Sequence, residues 1–316
     1  MPPANRHQPL RVKSSTSDYS IHEFLVDFPD DDACLEHLWR TRHAPDGEHA
    51  HCPKCGDVKV FKRYATKQQR QSWTCTACGH HLHPTAGTIF HRSSTSLRLW
   101  FYAIHLITST RCGISAKQLE RELGVHYQTA WRMFNRIRNE LMAEPDPAPS
   151  LRGEVEVDET SWGGKPRRKL KSRKEVAAFR EAKTTVLGMV ERGGRVRVRV
   201  IESRRGEPLS GAVRANVNPE AILYTDDWMA YKPLSREFAA HHVINHSAGD
   251  YVRGHIYTNS IEGFFGNLKT GMRGTYKKVS KKWLQSYLDE YAWRHNHRHS
   301  GQRSMFHALV REAARQ

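Results

Sequence analysis

Four cysteines constrain this chain more than any other feature. Cys52 and Cys55, then Cys75 and Cys78, form two CxxC pairs with nineteen residues between them. Six cysteines would suggest disulfides in a secreted chain, but two tight pairs at this separation have the spacing of a zinc site. Each pair closes a knuckle, CPKCG or CTACG, and the following Gly56 or Gly79 lets the backbone aim amide N–H groups at the thiolates. Four thiolates fill a tetrahedral shell and leave no position for water. The spacing therefore predicts one structural zinc in a ribbon over residues 46–91, with a redox CxxC as the alternative. His51, His80, His81 and His83 stand nearby without being needed, and Cys34 and Cys112 read as reduced thiols. The ribbon's Lys59, Lys62, Arg63, Lys67 and Arg70 are basic, and Phe61, Tyr64 and Trp73 are aromatic, which fits contact with either DNA or protein.

Charge narrows the partner. Lysine plus arginine number 50 against 33 acids, a formal net charge of +17. The excess is local: residues 14–39 hold seven acids and no lysine or arginine, while Gly163–Lys174 holds seven basic residues and Asn267–Lys282 six, both without an acid. Such blocks concentrate a polyanion, and nucleic acid is the commonest one; a solvated basic loop is the bland reading. The longest apolar stretch, Leu97–Ile107, is broken by Arg98 and His105, far short of the roughly 18 residues that span a bilayer. No secretory signal is evident near Met1, so a cytoplasmic, nucleoid-associated protein with no membrane contact is expected.

At 316 residues, two or three domains are expected. Residues 1–45 read as an N-terminal extension with a short helix. After the ribbon, residues 92–144 take on a helical period. Leu99, Ala103, Leu106 and Ile107 share one face, Leu119 and Leu123 lead to a glycine turn at Gly124, and a second stripe runs Tyr127, Trp131, Phe134, Ile137, Leu141. Two helices joined this way resemble a helix-turn-helix, whose second helix would offer Gln128, Thr129, Arg132 and Asn135 to the major groove; a plain helical hairpin is the alternative. PDPAPS at 145–150 ends the helix and marks a linker.

The carboxylates come next. GEVEVDET alternates valine with acid, predicting a strand that Asp158 ends. TTVLGMV and RVRVRVI predict a hairpin with Val196, Val198 and Val200 inward and Arg195, Arg197 and Arg199 outward. AILYTDDW delivers Asp226 and Asp227 at a strand end, and HHVINHS reads as a further strand. TNSIEGFFGNLKTGM starts a helix with Glu262 in its first turn and Lys269 two turns on. Acids from neighbouring strands and one helix could converge on two magnesium or manganese ions, the arrangement for in-line phosphoryl displacement. Each acid also has a duller role. Asp158 could close a turn, Asp226 or Asp227 could cap a helix near Trp228, and Asn259 with Glu262 could form a capping box.

VEVDET, YTDDWMAY and YTNSIEGFFGNLKTGMRGTYKKVS, followed by YLDEYAWRHNHR, resemble bacterial insertion-sequence transposases of the DDE class, specifically insertion-sequence family 1595. The likeness covers residues 24–300. It implies a multidomain α+β chain: zinc ribbon, helix-turn-helix-like module, and an RNase H-like α/β catalytic domain at 151–300 with a mixed sheet flanked by helices. Residues 301–316 are left as a C-terminal tail. Asp158, Asp226 and Glu262 would be the catalytic acids and magnesium ligands, the register of Thr225, Trp228 and Tyr231 selecting Asp226 over Asp227. Lys269, with Arg273, Lys277 and Lys278 of the same basic block, would contact DNA phosphates, Trp228 would shape the site, and Arg132 would face DNA from the helical module. The implied reaction hydrolyses a phosphodiester at the element's end and transfers the freed 3′-hydroxyl to target DNA. Double-stranded DNA, as terminal inverted repeats and as target, and a second or further copy of the chain are the implied partners. The rival reading is a zinc-ribbon, helix-turn-helix DNA-binding regulator with an inactive RNase H-like domain.

Overall fold

The computed structural model describes residues 18–64, 71–144, 150–164, 168–169, 171–244 and 257–315. The spacer at 145–149 and the basic residues Lys67, Arg70, Lys165 and Arg167 lie outside them, as does the end of the HHVINHS segment. The chain divides into two compact units, Met1–Leu141 with His299–Gln316, and Met142–Arg298.

The first unit opens with helix α1 (Ile21–Asp27), capped by a reciprocal pair in which the Ser20 N–H donates to Glu23 (2.6 Å) and the Glu23 N–H to Ser20 Oγ (3.2 Å). Helix α2 (Asp31–Arg42) is capped by Asp30, which accepts from the Ala33 N–H at 2.8 Å. The acidic stretch has internal duties. Asp31 accepts from Ser96 Oγ (2.5 Å) and the Arg98 N–H (2.7 Å), and Asp32 pairs with Arg63 at 2.8 Å.

Four short antiparallel strands follow in the order β1 (His49–Cys52), β2 (Asp57–Tyr64), β3 (Ser72–Cys75), β4 (His81–Leu82). This small sheet packs on α2 through aromatic rings: Trp73 stacks on Trp39 at 4.6 Å and Phe61 lies 5.7 Å from the same ring. Phe61 and Trp73 are therefore core, not the surface aromatics that composition suggests. Tyr64 stays exposed.

Helices α3 (Leu97–Ser109), α4 (Ala116–Leu123) and α5 (Tyr127–Arg136) come next, the last running into a π turn at Ile137–Leu141. Gly124 ends α4 in the left-handed region (φ 63°), as the turn requires. The buried stripes are shifted from those expected. In α3 Trp100, Phe101, Ile104 and Ile107 are buried while Leu99 and Leu106 are marginal, and in α5 Ala130 and Met133 replace Tyr127 and Trp131 beside Phe134. With apolar residues on more than one face, periodicity alone does not select the face that packs.

The second unit is built on a five-stranded sheet in the order β7-β6-β5-β8-β9: β5 (Glu154–Trp162), β6 (Thr184–Glu191), β7 (Val196–Ile201), β8 (Ile222–Asp226) and β9 (Ala240–Ile244). The first three pair antiparallel; β8 and β9 run parallel to β5. Helices α6 (Arg173–Glu181), α7 (Glu207–Asn216), α8 (Asn259–Gly271) and α9 (Leu284–Asn296) complete the unit. On one face Val155, Val157, Leu187 and Met189 form a core with Leu209 and Val213 of α7. The free edge of β7 is closed by α9, where Asn296 accepts from the Val196 N–H (2.7 Å) and Gln285 from the Val200 N–H (2.8 Å).

Arg197 departs from the alternation rule. It is 1% exposed, its guanidinium held by Glu144 at 2.8 Å and Asn216 at 3.1 Å. Strict alternation assumes one wet face, whereas both faces of β7 are covered, so the cation is buried with partners.

Gly188 of β6 faces α8. A methyl group there would come within 2.6 Å of both Ile261 and Phe265. Gly188→Ala is thus expected to push α8 outward and cost about 1 to 3 kcal/mol, measured as a lower urea midpoint at unchanged slope. An unchanged midpoint would mean that the helix does not lie so close.

The final helix, α10 (Gln302–Arg315), belongs to the first unit, where the sequence alone suggests only a tail. Phe306, Leu309 and Val310 are buried, and Phe306 lies 5.6 Å from Phe28 and 6.1 Å from Phe101. Asp18 accepts from the Gln302 N–H at 2.7 Å. Among the described residues no helix is long and apolar enough to cross a membrane.

Candidate metal and DNA-processing sites

In the first unit the knuckles bring all four thiols together. Cys52 Sγ is 3.6 Å from Cys78 Sγ, and Cys55 Sγ is 3.9 Å from Cys75 Sγ. Tetrahedral zinc with bonds of about 2.3 Å sets its sulfurs about 3.8 Å apart, so the donor set fits the ion in chemistry and in size. Gly56 (φ 71°) and Gly79 (φ 73°) adopt the left-handed turn conformation, each donating its N–H at 2.9 Å to the carbonyl of the first cysteine of its pair.

In the second unit the carboxylates gather where parallel pairing stops. Strand β5 does not end at Asp158; it runs on to Trp162 along β6. Its pairing with β8, however, reaches only Glu156 opposite Tyr224. Two residues further along each strand, on the same side of the sheet, stand Asp158 and Asp226. Oxygens of Asp158, Glu159 and Asp226 lie within 4.8 Å of one another. Asp227 is exposed and is not in that group. Glu262 on the exposed first turn of α8 also stands outside it, though near enough to act electrostatically on Asp158.

Burial first, then the charges of Glu159 and Asp226, push the Asp158 carboxyl up to about 7. Burial raises Glu159 as well, opposed by the Tyr231 hydroxyl that donates to it at 2.7 Å. Crowded acids of this kind favour a proton or a cation between them. In folded protein without added divalent ions, Asp158 therefore holds a proton that the unfolded chain releases near pH 4. Its contribution is full below that pH and is lost as pH rises through about 7, at most about 4 kcal/mol. The expected result is a wild-type melting temperature that drops relative to that of Asp158→Asn between pH 5 and 8, and that recovers with added magnesium. Asp289, raised to about 6 by burial, and His37 and His43, lowered to about 4 by burial and opposite in sign, act alike in both proteins and cancel in the comparison. Identical slopes would refute the assignment.

The duller roles resolve in part. Asp226 accepts from the Trp228 N–H at 3.1 Å, closing a turn with one oxygen. Glu262 is not the glutamate of a capping box: α8 starts after Thr258, and its first amides are taken by Glu156 of β5, as described below. The Trp228 ring lies under the Arg204 guanidinium at 4.5 Å and its Nε1–H donates to the Arg204 carbonyl. Lys269 lies over Phe265 at 5.8 Å, on the same helix as Glu262, while Arg273, Lys277 and Lys278 are exposed beyond it. In the other unit Arg132 is exposed and touches Thr95 at 3.4 Å. Sequence reasoning missed Glu159 and Glu156. The signal for Glu159 was its place beside Asp158; for Glu156 it was an acid on the same strand face, two residues before Asp158.

A mixed sheet with acids where its parallel pairing stops, in a chain that also carries a cysteine cluster suited to a zinc ribbon, places the chain among DNA transposases once its relatives are considered. Residues 150–296 match the ISXO2-like transposase domain. A protein in transposable element ISH50 of Halobacterium salinarum is 30% identical over 257 residues, covering 77% of this chain and 84% of that protein. A transposase-like protein of Haemophilus influenzae is 30% identical over 97 residues, 31% of this chain and 77% of its own length. The chain belongs to the transposases of insertion-sequence family 1595.

Proposed function

We propose that this transposase cuts phosphodiester bonds at the ends of its element and joins the freed 3′-hydroxyls to target DNA. The observation that carries the reading is the meeting of Asp158 and Asp226 just past the last parallel pair of β5 and β8 in a five-stranded mixed sheet, an RNase H-like arrangement. Asp158 would hold two magnesium or manganese ions, with Asp226 and Glu262 holding one each. When bound, such ions stabilise the attacking and leaving oxygens of an in-line displacement. Glu159, half-buried and accepting from the Tyr231 hydroxyl, stands within 4.8 Å of the Asp158 and Asp226 oxygens as a further carboxylate within reach of an ion.

The reaction balances as two displacements at phosphorus. Water attacks the phosphate at the element's end, the P–O3′ bond breaks, and the 3′-oxygen leaves as a hydroxyl. That hydroxyl then attacks a target phosphate, forming a new P–O3′ bond and releasing a target 3′-hydroxyl. Lys269, Arg273, Lys277 and Lys278 hold backbone phosphates, Trp228 shapes the site beside Asp226, and Arg132 contacts DNA from the helical module. One zinc held by Cys52, Cys55, Cys75 and Cys78 is structural. Two copies or more, each engaging an inverted-repeat end, form the working assembly on DNA. The test uses a duplex carrying the inverted repeats that bound the coding region: divalent-dependent cutting at its ends, and joining of pre-cut ends to a second duplex. Cutting without joining would reduce the protein to a nuclease, and neither activity in the wild type would overturn the proposal.

A further inference from the structure

We infer that Glu156, held by Arg192, is a positioning residue that fixes the helix carrying Glu262 against the strand carrying Asp158. The inference rests on the function proposed above. Glu156 is wholly buried, two residues before Asp158 on the same face of β5. Its Oε2 accepts from the backbone N–H groups of Ser260 (2.8 Å) and Ile261 (3.1 Å), and its Oε1 from the Ser260 hydroxyl at 3.1 Å. A strand residue 104 positions away thus caps α8, whose own N-cap residue, Thr258, supplies no side-chain cap. The next residue along the helix is Glu262. Its side chain is steadied by the Thr258 hydroxyl, which donates to Oε1 at 3.3 Å.

The carboxylate is itself clamped. Arg192 Nε donates to Glu156 Oε1 at 2.9 Å, and its guanidinium lies 3.8 Å from the Tyr224 ring and 3.9 Å from the Tyr257 ring. Arg192 Nη2 also donates to the Tyr257 carbonyl at 2.8 Å, just ahead of α8. A negative charge at a helix N-terminus satisfies open amides and the helix dipole together, and a buried charge with a hydrogen-bonded partner has one geometry open to it. Together with the bare backbone of Gly188 beneath Ile261, this sets how near Glu262 comes to Asp158. Glu262 stands outside the Asp158, Glu159 and Asp226 group, so small shifts of α8 decide whether it can share an ion with them.

The test is the manganese concentration that half-saturates the protein, read from the loss of the free-ion paramagnetic resonance signal, and beside it the concentration that half-saturates cutting of the inverted-repeat duplex. Glu156→Gln keeps the size of the side chain but weakens both the cap and the clamp. It is expected to raise both concentrations about 10-fold or more, as loss of a partner that orients a metal ligand does, with the rate largely restored at high manganese. Ser260→Ala removes only the hydroxyl contact and shifts the midpoint in the same direction by less; it carries the test if a melting curve shows Glu156→Gln unfolded. A merely structural residue would lower the melting temperature and leave the manganese midpoint in place. Unmoved midpoints in the folded variants overturn the inference while wild-type cutting stands. Absence of manganese-dependent cutting in the wild type overturns the proposed function itself.

Discussion

Asp158→Asn is expected to abolish divalent-dependent cutting, by more than about 1,000-fold, while binding to the inverted-repeat duplex persists. The asymmetry follows from the placement of the residue. Asp158 lies within the oxygen group at the end of the parallel pairing, whereas Arg273, Lys277, Lys278, Lys281 and Lys282 are exposed and outside that group. Asparagine keeps the size and one carbonyl oxygen, so the fold is retained. It removes the charge that a hard cation requires, and a 1,000-fold loss corresponds to about 4 kcal/mol of transition-state stabilisation. It also relieves a crowded acid whose ordinary value is raised to about 7, so the variant should melt no lower than wild type in divalent-free buffer near neutral pH. Equal cutting by the two proteins would remove Asp158 from the chemistry. Binding without any cutting in the wild type would favour a DNA-binding regulator with an inactive catalytic domain.

Cys55→Ser is expected to have the second large effect, on a different unit. Structural zinc in small ribbons contributes an apparent 10 to 16 kcal/mol or so to folding, because their cores are too slight to fold alone. Here the ribbon is no isolated module: Trp73 of β3 stacks on Trp39 of α2, and Arg63 of β2 pairs with Asp32. Loss of the ion should therefore loosen α2 as well, changing tryptophan fluorescence and opening the first unit to protease. Zinc content should fall from one per chain toward zero. Full zinc in the folded variant would exclude the four-thiolate assignment, and loss of zinc with an unchanged protease pattern would show that the ribbon is autonomous.

The readable parts of this chain were the local ones. Knuckle spacing placed the cysteines, alternation placed β7, the apolar run before it placed β6, and the glycine turn separated α4 from α5. Asp158 and Asp226 were legible because strand patterns near them ended together, even though β5 itself runs on. What escaped was set by partners distant in sequence. The side chain of Arg197 looks outward in the VRVRV pattern, yet it is buried because Glu144 and Asn216 come to it from elsewhere. The glutamates flanking Asp158 were read as mere alternation; one caps a helix a hundred residues on, and the other joins the acid group with a tyrosine from beyond β8. The sequence offers no reason for Gly188 within its strand; the reason lies in Ile261 and Phe265 of α8. Periodicity reports which positions differ, not what covers them.

The return of α10 to the first unit has a consequence for biosynthesis. Phe306 fills space among Phe24, Phe28 and Phe101, and Arg303 reaches Asp27, so helices α1 and α3 are packed by residues synthesised about 200 or more positions later. A chain broken off within the second unit therefore leaves those rings uncovered, because the helix that covers them has yet to be added.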